Sequence, residues 1–223
     1  RGSCRDCIIK INNIEEENLD KISFNIYENI GSTLRNTITR TYSFPTVTGN
    51  KKGYKGIQPK FYYPGDFNGD GKMEVLAVSA HQALGSSSPV SEIYIFDLLN
   101  DSILYKESVF PYTVKFLGSD LSDHKVAEQN SDKLFVMDCD GDGKSDFCYV
   151  NSKGIYAYTF DMTETGLKIR LLSFTANPSG VMLRSQMLLP GDFDGDGVGD
   201  FVVAPTTDDE KWAFLIGKGN GKF

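Results

Sequence analysis

Hydrophobic residues in this chain fall in short runs separated by polar, glycine-rich punctuation, and helical spacing is scarce throughout. Lys60-Phe61-Tyr62-Tyr63, Leu134-Phe135-Val136-Met137 and Met187-Leu188-Leu189 each lead into an acidic loop. Val75-Leu76-Ala77-Val78, Phe147-Cys148-Tyr149-Val150 and Phe201-Val202-Val203-Ala204 follow the same three loops. Runs this short, rich in aromatic and β-branched residues, predict strand–loop–strand hairpins with buried inner strands. Ile93-Tyr94-Ile95-Phe96, Ile155-Tyr156-Ala157-Tyr158 and Trp212-Ala213-Phe214-Leu215 read as third strands. Fourth strands are expected at 102–106 and 167–172, set off by the turn residues Asn100-Asp101 and Glu164-Thr165-Gly166. Four short strands per unit predict a propeller blade.

The first 59 residues lack such a loop, but Cys7 to Ile11, Ile22 to Tyr27 and Thr37 to Tyr42 resemble outer strands of an earlier blade. Glu15 to Asp20 reads as a polar turn, and His81 to Glu92 as a loop insertion. The expected organisation is a single all-β repeat domain, a propeller or partial propeller of three to four blades. Residues 1–59 supply N-terminal outer strands, and 60–130, 131–186 and 187–223 carry one loop each.

The loops follow the formula D-x-[DN]-G-D-G-x-x-[DE], with first positions 72 and then 54 residues apart. Alternate positions of such a loop can aim several carboxylates at one point while glycines let the backbone fold inward, which suits the oxygen-rich shell of calcium. Positions 1, 3, 5 and 9 are Asp66, Asn68, Asp70 and Glu74; then Asp138, Asp140, Asp142 and Asp146; then Asp192, Asp194, Asp196 and Asp200. The position-7 carbonyls of Lys72, Lys144 and Val198 complete the candidate ligand sets, and Gly71, Gly143 and Gly197 take the sharp turn at position 6. Magnesium fits less well because it demands a stricter octahedron. An EF-hand would need a bidentate Glu at position 12, where Ala77, Tyr149 and Val203 stand instead. The loops hold 11 carboxylates, which repel one another unless a cation lies among them. Up to three structural Ca2+ ions are therefore expected.

This loop-plus-strand pattern resembles the FG-GAP or VCBS repeat, the calcium-loop blade of integrin-α-type β-propellers, over most of residues 60–223. The N-terminal isoleucine-rich strand and Phe24-x-Ile26-Tyr27, leading into Gly65-Asp66-Phe67-Asn68-Gly69-Asp70-Gly71, are similar to the stretch before the VCBS repeats of bacterial Rhs-type and Tc-toxin B-component proteins. That resemblance implies a non-enzymatic docking or closing element of a secreted or surface shell. The YD-type repeats of that family do not occur in this sequence. Propellers use about four to eight blades, so the expectation is a segment of a longer chain or a ring completed by another copy.

The 223 residues are 40% hydrophobic and 24% charged, with net charge −7 and no Lys/Arg cluster able to track phosphates, so nucleic acid is not an expected partner. No apolar run approaches the length of a membrane helix. Four cysteines, Cys4, Cys7, Cys139 and Cys148, are too sparse for a disulfide framework; local disulfides and ordinary thiols stay open. The two histidines, His81 and His124, lie in polar segments without an acid–base partner in sequence, and Gly85-Ser86-Ser87-Ser88-Pro89 is not a nucleophile elbow. Asp120, Asp123, Asp208, Asp209 and Glu210 read as solvated faces, and Asn100-Asp101-Ser102 matches a glycosylation sequon. No catalytic residue is assigned. The expected function is a noncatalytic calcium-binding module for extracellular, cell-surface or periplasmic contact with a protein or glycan. The alternative is the propeller scaffold of a polysaccharide-active enzyme.

Overall fold

The computed structural model describes residues 7–14, 19–30, 33–45, 61–82, 89–107, 133–151, 153–178, 187–205 and 211–223. Among these the secondary structure is all β, in four open sheets of three or four antiparallel strands, which fits a partial propeller. The chain divides into two compact units, Arg1–Pro64 with Gly71–Val114, and Gly65–Asp70 with Lys115–Phe223.

In the first unit, β1 (Cys7–Ile14), β2 (Leu19–Ile30) and β3 (Thr33–Pro45) form one sheet. The other contains β4 (Phe61–Gly65), β5 (Glu74–Gln82), β6 (Pro89–Asp97) and β7 (Ser102–Glu107) in that order. Period-two alternation places Ile22, Phe24 and Ile26 on one face of β2, where they pack with Val75, Ala77, Tyr94 and Phe96. Phe24 meets Tyr42 and Tyr62 edge-on, at 6.0 and 5.9 Å between centroids. Arg40 ties β3 to the turn after β6 through Nε to the Leu98 carbonyl (2.9 Å) and Nη2 to the Leu99 carbonyl (3.2 Å). That turn is built by Asp97, whose Oδ1 accepts the N–H groups of Leu99 and Asn100.

Two loop expectations need correction. The segment from His81 to Glu92 is not all insertion, because β5 runs to Gln82, β6 starts at Pro89, and the ladder pairs His81 with Val90. The polar end of the expected turn at Glu15 to Asp20 is likewise strand, since β2 starts at Leu19. Ladder hydrogen bonds use only backbone groups, so the hairpins extend past the end of the hydrophobic pattern.

In the second unit, β8 (Lys133–Met137), β9 (Asp146–Asn151), β10 (Gly154–Thr163) and β11 (Gly166–Ala176) form a four-stranded meander. β12 (Leu188–Gly191), β13 (Asp200–Val203) and β14 (Ala213–Leu215) form a three-stranded one. The two sheets share a core of Cys139, Cys148, Val150, Ile155, Ala157, Leu188, Phe201 and Val203. Phe201 sits between Phe135 and Phe223, each 5.1 Å away between centroids. The opposite face of the four-stranded sheet carries Phe147 and Phe160, with Phe67 set edge-on to Phe160 at 5.6 Å. The three acidic loops are the same connection repeated: β4 to β5, β8 to β9 and β12 to β13.

Candidate metal centre

Each loop is wound by a carboxylate at position 1 and glycines at positions 4 and 6. Gly141 and Gly143 have φ of 79° and 82°, and Gly195 and Gly197 have 83° and 89°, a left-handed conformation that L side chains adopt at a cost. With the backbone turned this way, Gly141 and Gly143 donate to Asp138 Oδ1 (2.7 Å) and Oδ2 (2.8 Å). Gly195 and Gly197 donate to Asp192 Oδ1 (2.7 Å) and Oδ2 (3.0 Å). Position 4 is therefore as constrained as position 6, a point the formula contains and ligand spacing alone passes over.

The position-9 carboxylates close the loops from beneath. Asp146 and Asp200 are both 0% exposed. Asp146 Oδ2 accepts the Cys139 N–H at 3.0 Å and Asp200 Oδ2 the Phe193 N–H at 2.8 Å, so position 9 is bonded to position 2 in both. The result is a cluster of carboxylate oxygens from Asp138, Asp140 and Asp146, and another from Asp192, Asp194 and Asp200, each set within 4.8 Å. These two acidic clusters could hold a metal ion.

Position 5 lies outside both groups. Asp142 is drawn to Lys144, whose Nζ is 2.8 Å from its Oδ2 and whose N–H donates to its Oδ1 at 2.9 Å. Asp196 Oδ1 accepts the Val198 N–H at 2.8 Å. In the first loop, Asp66, Asn68 and Asp70 fall in the second unit and Lys72 and Glu74 in the first. Asp66 Oδ1 accepts the Gly69 N–H (2.7 Å), the position-4 contact of the other copies, and also the Asp70 N–H (3.2 Å); Glu74 is buried at the start of β5.

Electrostatics distinguishes the second cluster. Asp146 Oδ1 is buried and makes no hydrogen bond of normal geometry, the nearby Thr159 hydroxyl only partly offsetting its burial. Burial, reinforced by the charges of Asp140 and Asp142, pushes the Asp146 carboxyl up to about 7. A bare carboxylate is costly there, and either protonation or a cation held among the Asp138, Asp140 and Asp146 oxygens would offset that cost. The donor set, all oxygen and mostly carboxylate, fits a hard divalent cation such as calcium.

Successive loops are joined by a repeated contact that the linear pattern does not display. The position-8 N–H of each loop donates to the position-1 carbonyl of the loop before, Ser145 to Asp66 and Gly199 to Asp138, both at 2.7 Å. The position-7 side chain lies over the preceding position-4 glycine: a β-carbon on Gly69 would lie 3.0 Å from the Lys144 chain, and one on Gly141 would lie 3.4 Å from Val198 Cγ2. Sizes are matched where the loops meet. Gly65 faces Ser145, whereas at the next junction the larger Met137 faces Gly199.

The remaining candidates are more scattered. His81 lies in β5, while His124, Asp120, Asp123, residues 85–88 and 208–210, and Cys4 lie outside the described residues. Cys7 is disulfide-bonded; Cys139 and Cys148 are free and buried. Asn100 of the sequon donates through Nδ2 to Asp97 Oδ2 at 2.6 Å, a turn-building role. No helix among the described residues is long and apolar enough to cross a membrane.

Comparison with known proteins bears on the second and third loops. No curated protein matches the chain. Among solved structures, a Bacillus licheniformis rhamnogalacturonan lyase PL11 is 15% identical, with TM-score 0.48, over 91% of this chain and 35% of that one. An Agrocybe aegerita lectin, described as specifically recognising non-reducing terminal N-acetylglucosamine, is 13% identical, with TM-score 0.41, over 97% of this chain and 64% of the lectin. The chain thus spans less than two thirds of either protein. Residues 138–203, which run from the first ligand position of the second loop to the end of β13, match the family described as FG-GAP-like repeat.

Proposed function

We propose that the chain is a noncatalytic calcium-binding β-propeller segment that works outside the cytoplasm, with calcium stiffening the loops and the surface meeting a protein or glycan partner. The observation that carries this reading is the pair of equivalent carboxylate clusters, one of them containing a buried Asp146 oxygen that makes no hydrogen bond of normal geometry. Asp138, Asp140 and Asp146 would hold one ion and Asp192, Asp194 and Asp200 a second. The first loop carries Asp66, Asn68, Asp70 and Glu74 at the same positions of its sequence.

Ion supply and redox chemistry support that location. Extracellular modules bind calcium at roughly 0.1–1 mM, a concentration the cytosol does not sustain, and the disulfide at Cys7 belongs to an oxidising compartment. At about 1 mM calcium and a Kd near 0.1 mM, each filled site stabilises the fold by about 1.4 kcal/mol.

The test is a thermal melt in chelator, then in calcium from micromolar to several millimolar, with magnesium as the control ion. A calcium-specific rise in Tm is expected; no rise at any concentration would remove the scaffold reading. Incubation with a panel of soluble polysaccharides then separates the two function classes. Retention without cleavage supports a binding module, and release of new chain ends would replace it with the enzyme alternative.

A further inference from the structure

Cys139 and Cys148 stand at a place where a covalent bond would have a local mechanical effect. Cys139 is position 2 of the second loop, and Cys148 lies on β9, two residues beyond position 9. Their Sγ atoms are 3.3 Å apart, and the residues are 1% and 0% exposed. A disulfide needs about 2.05 Å between sulfurs, so the pair is within a small side-chain adjustment of bonding distance. The corresponding residues of the other copies, Phe67 with Leu76 and Phe193 with Val202, offer no such chemistry.

A second observation concerns the environment. Cys7 of the same chain is disulfide-bonded, so the protein matures where disulfides form and persist. Two thiols held this close in that environment are positioned to oxidise while the chain folds, before burial and the nearby Asp146 and Asp138 charges disfavour the thiolate. The neighbours are the apolar Val150, Ile155, Ala157, Leu188 and Phe201, and the Met137 carbonyl lies 3.6 Å from Cys139 Sγ, a weak contact.

We propose that Cys139 and Cys148 form a second disulfide in the mature protein, clasping the base of the second acidic loop to strand β9. The oxidant is a low-molecular-weight disulfide such as oxidised glutathione. One cysteine sulfur, as thiolate, attacks it to give a mixed disulfide and releases one small thiol; the second sulfur then displaces the other half. Two S–H bonds are lost and one S–S bond forms, and the oxidant takes up two electrons and two protons to leave as two thiols. Exchange takes place as the chain folds, before the core closes over both sulfurs. The closed ring contains loop positions 2 to 9, so it holds the Cys139 N–H against the Asp146 carboxylate that it already contacts at 3.0 Å.

This disulfide depends on the calcium-scaffold reading only through the oxidising compartment, and its test needs no calcium. The full chain is refolded with oxidised glutathione until Cys7 is oxidised, denatured and blocked with N-ethylmaleimide, then reduced and labelled with iodoacetamide before peptide mapping. Iodoacetamide on Cys139 and Cys148 is expected; N-ethylmaleimide on both, with Cys7 carrying iodoacetamide, would overturn the proposal. The second measurement compares melts with and without a phosphine reductant for wild type and for the Cys139→Ala, Cys148→Ala double variant. Wild type is expected to lose roughly 5 to 10 °C more than the double variant, in which only the Cys7 bond is reduced. Equal losses would also overturn it.

Discussion

The second and third acidic loops share a formula, a winding and a match to one repeat, yet they differ in what surrounds them. In the second, Asp138 and Asp140 are half-buried, Asp146 Oδ1 makes no hydrogen bond of normal geometry, and position 2 is a buried cysteine. In the third, Asp192 and Asp194 are exposed, Asp200 Oδ1 accepts the Gly217 N–H at 2.7 Å, and position 2 is Phe193, 48% exposed. The cause is the neighbour. Val198 and Gly199 of the third loop cover the second, while a β-carbon on Gly195 would meet nothing within 4 Å among the described residues. A ligand cluster is thus specified by its own nine residues, but its desolvation is set by the following repeat.

The comparison is sharpened most by the ion itself. Filling the second and third sites at about 1 mM calcium should add about 3 kcal/mol, or roughly 6 to 11 °C in Tm over chelator, read by calorimetry. A shift half as large would leave only one of the two loops occupied.

The junction between the loops is the next target. Gly199→Val places a β-carbon 2.3 Å from Met137 Sδ and 3.0 Å from the Asp138 carbonyl, and is expected to cost about 1–3 kcal/mol in denaturant melts. Met137→Ala in the same chain should recover part of that loss by vacating the space. Recovery absent, the Asp138 carbonyl and not Met137 sets the fit.

Order of filling follows from burial. A cation among half-buried carboxylates is less screened than one among exposed ones, so the second loop is expected to fill first in a terbium luminescence titration. Asp146→Asn should weaken the tighter step and Asp200→Asn the weaker one, each by about tenfold in Kd, or about 1.4 kcal/mol. The reverse assignment would break the proposed link between cover and affinity.

The smallest effect tests the winding. Gly141→Ala and Gly195→Ala should each destabilise by about 1–2 kcal/mol, since both hold left-handed φ, and should differ by no more than a few tenths, because the Val198 contact at Gly141 is only 3.4 Å. A gap near 1 kcal/mol in urea unfolding would assign the constraint to packing and not to backbone conformation.

Much of the fold was legible because blades are local objects. Alternation in Ile22-Ser23-Phe24-Asn25-Ile26 marks a core face of β2, and the runs after each loop coincide with β5, β9 and β13. The extension of β5 through His81 and Gln82 was not legible, since backbone pairing continues there without a hydrophobic pattern. At the site, the spacing of Asp138, Asp140 and Asp146 foretold their convergence. The ion pair of the Lys144 side chain with Asp142 does not show in the spacing, which speaks only for the position-7 carbonyl and not for where its side chain goes.

The sequence by itself determined three copies of one oxygen-rich loop and the strands that bracket each. Winding depends on residues within nine positions of one another, on glycines that accept left-handed φ and on a carboxylate that accepts their N–H groups. Only the tertiary structure decided that Ser145 and Gly199 bond the loops before them, that Met137 fits against a glycine, that Cys139 meets Cys148, and that Asp146 is left with a buried oxygen lacking a hydrogen bond of normal geometry. Those facts depend on which surfaces pack together and exclude water, and desolvation is a property of the assembled core that no stretch of chain carries alone.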